Sequence, residues 1–440
     1  MNYDIVIQNG TFITMNSDLD IINNGVLCIK NDKLDKIEPL ENNASLPIGE
    51  TIIDAHGGII MPGLVNTHTH LPMALFRGLA DDLPLSKWLN EYIFPAEANH
   101  IHSESVRIGA LLSCAEMLLS GTTTCCDGYF HEDSVASAAN EIGIRAILGQ
   151  GVIDFPAPGV PKPENNVNNA ITFIQKWKNI SPLIIPSIFC HSPYTCSGAT
   201  LKKAKDAAET EGVLFQIHVG ETKDECLQIQ TKHHTTPIKY LDKMGIIDKN
   251  TLLIHAVWMD DDDIEIIAKR RGSVSHNPES NMKLASGIAP VPALLKAGVT
   301  VGLGTDGCAS NNNLDLFSEM DTAAKLHKVS AMDPMLMDAV TVLKMATIEG
   351  ARSLGLHDIT GSLEVGKQAD VIILDTHKPH LVPVYNPVSH IVYAAQGSDV
   401  QDVIVNGRIL VKDRKLLSVD LGNILEKVIN FSKNISPNLA

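Results

Sequence analysis

Between residues 59 and 355, short apolar runs alternate with helical patterns, and this alternation constrains the fold more than any other feature of the chain. The runs read as strands at Met61–His70, Thr122–Asp127, Arg145–Ile153, Leu183–His191, Val213–Glu221, Leu252–Val257, Ser273–Asn277 and Val299–Asp306. The clearest helix lies between the first two, at Ser103–Ser120. Val106, Ala110, Leu111, Cys114, Met117 and Leu118 share one of its faces. Ser103 is placed to cap its start and Gly121 to close its end. Strands separated by helices pair in parallel through right-handed crossovers. The pattern predicts an α/β fold, a (β/α)8 barrel. A doubly wound open sheet is the alternative.

The strand ends separate these two architectures. The first strand stops on His68-Thr69-His70, the fourth on His191, and the fifth on His218-Val219-Gly220-Glu221. The sixth stops on His255, the seventh on His276-Asn277 and the eighth on Thr305-Asp306. A barrel gathers these groups on its C-terminal face, where catalytic residues of that fold collect. An open sheet would hold strands at opposite edges too far apart to share a site. Any one of these histidines is most simply a buried, hydrogen-bonded side chain. Their recurrence at successive strand ends is what points to a shared site.

The flanking segments read differently. Tyr3–Ile7, Thr11–Met15 and Val26–Lys30 are β-branched runs bounded by Asn, Asp and Gly. Asp402–Leu410 echoes the first hairpin, Asp4–Phe12. Residues 1 to about 56 hold too few apolar residues for a core of their own. The expected division is 1–56 and 366–440 pairing into one small β-sandwich, with a terminal helix, around a barrel domain at 57–365.

Composition narrows the partners. The formal charge of −16 argues against a broad phosphate-binding surface, and so against nucleic acid. No apolar stretch is long enough to span a bilayer, and MNYDIVIQNG has no basic region followed by an apolar run. The eight cysteines form no CxxC pair and mostly sit in apolar segments, as reduced core thiols do. A cytoplasmic protein is expected, with a homo-oligomer compatible with the sequence.

Spacing then suggests chemistry. His68 and His70, at i and i+2 on a strand, leave on the same face. With His218 and Asp306 they make three imidazoles and one carboxylate, a set suited to one Zn²⁺ or similar divalent ion with an open position for water. A two-metal site would need a bridging carboxylate or modified lysine, and His191-Ser192-Pro193 offers no lysine. Glu221 follows His218 by three residues, within reach of that water and of a substrate. His255 is placed to orient the nucleophile or stabilise developing charge. Asp260–Asp263 read as a helix start, and Gly302-x-Gly304 is not a dinucleotide fingerprint.

The chain also resembles the metal-dependent amidohydrolase superfamily, and within it the 5-methylthioadenosine/S-adenosylhomocysteine deaminases. The resemblance covers nearly the whole chain. It rests on Pro62-Gly63-Leu64-Val65-Asn66-Thr67-His68-Thr69-His70, Leu85–Leu89 with Pro95-Ala96-Glu97, and His191–Cys196. It rests further on His218–Thr222, on His276-Asn277-Pro278 with Ser280–Gly287, and on Gly304–Gly307 with Ala309–Asn312. The Ser-Asn-x-Lys-Leu and Ser-Asn-Asn runs point to the branch that also holds triazine hydrolases.

The resemblance implies a hydrolytic deaminase of adenine nucleosides. Glu221 would protonate N1 of the purine, and Asp306 would take the proton of the attacking water. Glu97 would bind the ribose hydroxyls, Trp88 would pack on the nucleoside, and His191 would contact it from the opposite wall. Where many relatives resemble Thr-Arg-Gly, this chain has Gly149-Gln150-Gly151. A neutral amide there weakens the hold on a homocysteine carboxylate. Methylthioadenosine is therefore expected to be used at least as well as S-adenosylhomocysteine, with Phe155 and the proline-rich loop as an apolar wall. The alternatives on the same scaffold are adenosine, 5-deoxyadenosine, guanine, cytosine or a chlorinated triazine. A non-catalytic sensor is the alternative from another class.

Overall fold

The computed structural model describes residues 2–40 and 46–435. Eight parallel strands form the barrel. They are β1 (Leu64–Thr69), β2 (Thr122–Tyr129), β3 (Arg145–Val152), β4 (Ile184–Cys190), β5 (Phe215–Val219), β6 (Thr251–His255), β7 (Ser273–His276) and β8 (Thr300–Leu303). Neighbours pair in chain order from β1–β2 to β7–β8. Almost every strand residue is buried, which is why the runs are continuously apolar rather than alternating. The seam between β8 and β1 is closed by the chain just beyond β8. Thr305 and Asp306 donate their N–H groups to the His68 carbonyl at 3.1 and 3.0 Å. Asn66 adds a side-chain bridge, accepting the Thr305 N–H at 3.1 Å and donating to Thr305 Oγ1 at 2.8 Å.

The run read as one strand from Met61 to His70 is two strands serving two sheets. Ile59–Pro62 pairs antiparallel with Val371–Leu374 and parallel with Thr11–Ile13, outside the barrel. Gly63 carries the chain across to β1. A Cβ at Gly63 would lie 2.0 Å from Thr123 Oγ1, so no other residue fits. The β-sandwich therefore draws on residues beyond 56, and the chain enters the barrel at Gly63.

The N- and C-terminal segments build the sandwich together. One sheet has the order Lys33–Pro39, Gly25–Lys30, Asn2–Gln8, Ile48–Asp54. The other runs Lys415–Leu416, Arg408–Lys412, Val400–Val405, Val371–Leu374, Ile59–Pro62, Thr11–Ile13, Ile21–Asn23. Ile7, Leu27, Phe12, Ile60, Val371 and Ile404 share one apolar core. Only the second of the two similar segments is a hairpin: Val400–Val405 pairs with Arg408–Lys412, whereas Asn2–Gln8 and Thr11–Ile13 part at Asn9-Gly10 into different sheets. The terminal helix is Leu421–Ser432. Residues 1, 41–45 and 436–440 of the expected terminal segments lie outside the described residues.

Helix starts follow local hydrogen-bond chemistry. The helix Ser103–Leu119 is capped by His102, not Ser103. The His102 ring accepts the Ser105 N–H while Ser105 Oγ accepts the His102 N–H, so the reciprocal pair fixes the cap one residue earlier. Asp260 and Asp263 form the same kind of pair at the start of Asp261–Arg270. No helix among the described residues is long and apolar enough to cross a membrane.

One buried ion pair ties the barrel to the sandwich. Arg145, at the start of β3, donates from Nε to Asp370 Oδ2 at 3.0 Å and from Nη2 to Oδ1 at 3.1 Å. Asp370 Oδ1 also accepts the Asn406 N–H at 2.7 Å. Both side chains are buried. Removing one partner strands the other charge, which costs about 3–5 kcal/mol. Arg145→Ala should therefore lower the unfolding midpoint markedly, read by thermal or urea denaturation. A midpoint equal to wild type would mean that the pair carries no net stability.

Candidate active site

The C-terminal strand ends open into a cavity of about 830 Å³. His68, inside β1, is fully buried, and His70 follows β1 directly. His68 Nε2 lies 3.2 Å from His218 Nε2 on β5. Asp306 Oδ1 lies 3.4 Å from both His68 Nε2 and His70 Nε2. The ligand atoms of His68, His70 and Asp306 fall within 4.8 Å of one another, as do those of His68, His218 and His255. The two groups share His68, which brings His70 and Asp306 on one side and His218 and His255 on the other around the same ring.

The protonation of these groups suits a cation. Burial pushes His68 down to about 3, against the pull of Asp306. Burial and the neighbouring imidazoles push His218 well below the ordinary value. Both rings are neutral, with a lone pair free. His70 Nδ1 faces the Gly128 carbonyl at 2.6 Å and must donate to it, leaving Nε2 as the ligand atom. Burial would raise Asp306, but His68 and His70 hold it well below the usual carboxylate range. Ser280 Oγ and Ser310 Oγ donate to its Oδ2 at 2.6 and 2.8 Å. Neutral imidazoles and an ionised carboxylate are a donor set that fits a borderline divalent ion.

Glu221 lines the same cavity. Burial, and then the nearby Asp306, push its carboxyl up to about 8. Two carboxyls in one site are thus driven apart, Glu221 protonated and Asp306 ionised at neutral pH. That is the pattern that separates an acid from a base. His255, the last residue of β6, has its Nε2 3.9 Å from Glu221 Oε2. The amide nitrogens of Asn281 and Asn277 lie 2.9 and 3.2 Å from His255 Nδ1. That nitrogen accepts, so Nε2 carries the proton.

The expected substrate contacts divide. Glu97, on the helix Phe94–His100, lines the cavity and is buried. Burial raises it to about 7, although the Tyr129 hydroxyl donates to its Oε1 at 2.5 Å and pulls the other way. Trp88 lines the wall on a π-helical stretch, Trp88–Ile93, a form that recurs at functional sites. His191 lines another wall, with Nδ1 3.0 Å from Thr195 Oγ1. Gln150 does not line the cavity. Its Oε1 accepts the Glu132 N–H at 3.3 Å, and Gly151 faces the cavity instead. Arg145 is bound to Asp370. Among the described residues, no lysine or arginine lines the cavity, while Phe94, Phe130, Phe155, Pro156, Pro158 and Pro161 do.

Several neighbours carry roles that the sequence reading did not assign. Tyr129 holds Glu97. Ser280 and Asn281 hold Asp306 and His255. Their run, Ser-Asn-x-Lys-Leu, was visible as a motif, but its contacts need the folded loop. Glu225 is buried beside Glu221 and accepts the N–H groups of Gly220 and Glu221 at 2.8 and 3.0 Å. Burial raises its carboxyl to about 8 against those donors.

The chain is similar to known proteins over most or all of its length. A model described as the amidohydrolase family matches residues 59–410. A 5-methylthioadenosine/S-adenosylhomocysteine deaminase of Syntrophobacter fumaroxidans is 46% identical over 99% of each chain. A 5'-deoxyadenosine deaminase of Methanosarcina mazei is 44% identical over 96% of each. The crystal structure of an adenosine deaminase from Xanthomonas campestris with bound zinc superposes with a TM-score of 0.96. It is 35% identical and covers 99% of both chains.

If His68, His70, His218 and Asp306 hold a cation, a His68→Ala/His70→Ala double variant should lose bound divalent metal. Elemental analysis after dialysis checks this. Metal retained at the wild-type level would place the ion elsewhere.

Proposed function

We propose, from the premise that this chain belongs to the amidohydrolase family, that it hydrolytically deaminates adenine nucleosides bearing a small apolar 5′ group. 5-Methylthioadenosine is the foremost candidate. The observation that carries this reading is one cavity in which the His/Asp cluster, a protonated Glu221, and Glu97 with an aromatic wall all converge, with no cationic side chain. The relatives named as 5-methylthioadenosine/S-adenosylhomocysteine deaminases support the substrate class. Relatives named 5'-deoxyadenosine deaminase favour a second reading, in which the 5′ position carries only hydrogen. All eight cysteines are free thiols, which suits a cytoplasmic enzyme.

His68, His70, His218 and Asp306 would hold a single ion, Zn²⁺ being the best match to the donors. Such an ion acidifies water and so supplies a nucleophile at neutral pH. The chain's own groups do the rest. Glu221 donates its proton to N1 of the purine, which makes C6 electrophilic. Asp306, ionised, takes the proton from the attacking water. Through Glu221 that proton reaches the amine; as ammonia leaves, the C6 hydroxyl returns its remaining proton to Glu221, and the inosine-type product keeps C6=O and N1–H. His255, with Nε2–H directed by Asn277 and Asn281, stabilises charge as C6 becomes tetrahedral. Glu97, when ionised, accepts from both ribose hydroxyls.

Gln150 faces the start of the helix Glu132–Ile142, which precedes β3, so absence of a lining cation among the described residues, rather than the amide itself, disfavours a homocysteine carboxylate. Desolvating that carboxylate without a charged partner is costly. Ammonia release from methylthioadenosine should match or exceed that from S-adenosylhomocysteine in kcat/KM. A tenfold preference for S-adenosylhomocysteine, about 1.4 kcal/mol of transition-state binding, would contradict this. Glu221→Gln should keep its metal yet lose roughly 10² to 10⁴ in kcat. Near-wild-type turnover would leave Glu221 with no proton to move. Glu97 ionises near pH 7, so kcat/KM should climb as pH rises through that value. The climb should vanish in Glu97→Gln, and a climb that persists there belongs to another group.

A further inference from the structure

The segment Thr222-x-x-Glu225 spells an ordinary capping box at the start of the helix Lys223–His233. Half of it behaves as such: Thr222 Oγ1 accepts the Glu225 N–H at 3.2 Å. In the usual box the third helical residue reaches back to the N–H of the cap itself. Glu225 reaches further. Its Oε1 takes the Gly220 N–H at 2.8 Å and its Oε2 the Glu221 N–H at 3.0 Å. Both oxygens of a buried carboxyl are spent on two successive backbone groups, one of them belonging to the proposed proton carrier.

The other side of the same turn is fixed as well. Gly220 has φ +60, and its carbonyl accepts from Val257 and Trp258 N–H at 3.0 and 2.8 Å, just past His255. A Cβ on Gly220 would meet the Trp258 carbonyl oxygen at 3.0 Å, so the turn is tight on that side. The backbone at Glu221 is therefore gripped between the helix through Glu225 and the end of β6 through Gly220. A helix cap needs neither of these bonds. Two bonds to residues before the cap serve the residue that sits there.

We infer that Glu225 is a positioning residue for Glu221. It clamps the Gly220–Glu221 backbone so that the Glu221 carboxyl faces the substrate base. The inference rests on the proposed proton-transfer role of Glu221. Glu225→Gln is nearly isosteric, but its amide nitrogen faces an N–H, so one of the two bonds is lost.

The test uses whole, metal-loaded enzyme and the best substrate of a nucleoside panel. Glu225→Gln should lose roughly tenfold to a hundredfold in kcat, the usual cost of misplacing a reacting group by about 1 Å. KM should stay within about threefold, and metal content should be unchanged. In a Glu221→Gln background, adding Glu225→Gln should change kcat by less than about threefold, because there is no longer a proton carrier to misplace. Losses that multiply in the double variant would make Glu225 an independent structural residue and overturn the inference. So would wild-type kcat in Glu225→Gln, or a rise in KM alone, which would put Glu225 against the substrate. Should Glu225→Gln not fold, Thr222→Val frees the same helical turn with Glu225 intact. It should lose kcat severalfold, with the same lack of additivity, and additive losses there overturn the inference too. An active Glu221→Gln instead defeats the proton-transfer reading itself. A crippled Glu221→Gln beside an intact Glu225→Gln defeats only the clamp.

Discussion

One carbonyl oxygen, that of His68, accepts from two successive N–H groups, those of Thr305 and Asp306. This joint holds the two ends of the barrel sheet together. It also sets Asp306 against His68 and His70. Asp306 adopts φ +61, a left-handed conformation that aspartate tolerates better than most residues. The carboxylate is thus aimed by the closure itself. A looser seam would open the barrel and separate the ligands in the same movement, so the fold and the chemistry share one constraint.

The sequence disclosed those parts that depend on period and order. Continuous apolar runs ending on His, Glu or Asp were enough to predict parallel strands and a common face for His68, His70, His218, His255 and Asp306. What escaped were features set by contacts between distant segments. Met61–His70 reads as a single strand because nothing local reveals that Ile59–Pro62 finds Val371–Leu374 as a neighbour. His102 displaced Ser103 as a cap because Ser105 completes a reciprocal pair. Gln150 seemed to face the substrate by analogy of position, yet strand pleat and the Glu132 N–H turn it outward. Glu225 looked like half of a capping box, and only the folded turn reveals which N–H groups it takes.

The cavity has an unusual charge balance. Glu97, Glu221, Glu225 and Asp306 all line it, without a lysine or arginine. Burial raises the first three, and only Asp306, beside the imidazoles, is held low. The site limits buried negative charge by keeping the Glu221 carboxyl protonated and by spending both Glu225 oxygens on backbone N–H groups. A protonated carboxyl near neutral pH is also a proton donor, so the electrostatic solution and the proposed chemistry coincide.

The interleaving of the terminal sheet bears on how the chain is made. Ile59–Pro62 runs through Gly63 straight into the strand that carries His68. One of its sheet neighbours, Thr11–Ile13, precedes it on the chain, but the other, Val371–Leu374, emerges from the ribosome some three hundred residues later. Long-range pairings of this kind form late and slowly. Throughout synthesis the strand leading into the histidine pair has one bare edge, and Arg145 waits for Asp370. Ile59–Pro62, the lead-in to the barrel's first strand, is thus paired on both edges only when the last part of the chain arrives, and nascent chains cut short before residue 371 present that edge to one another.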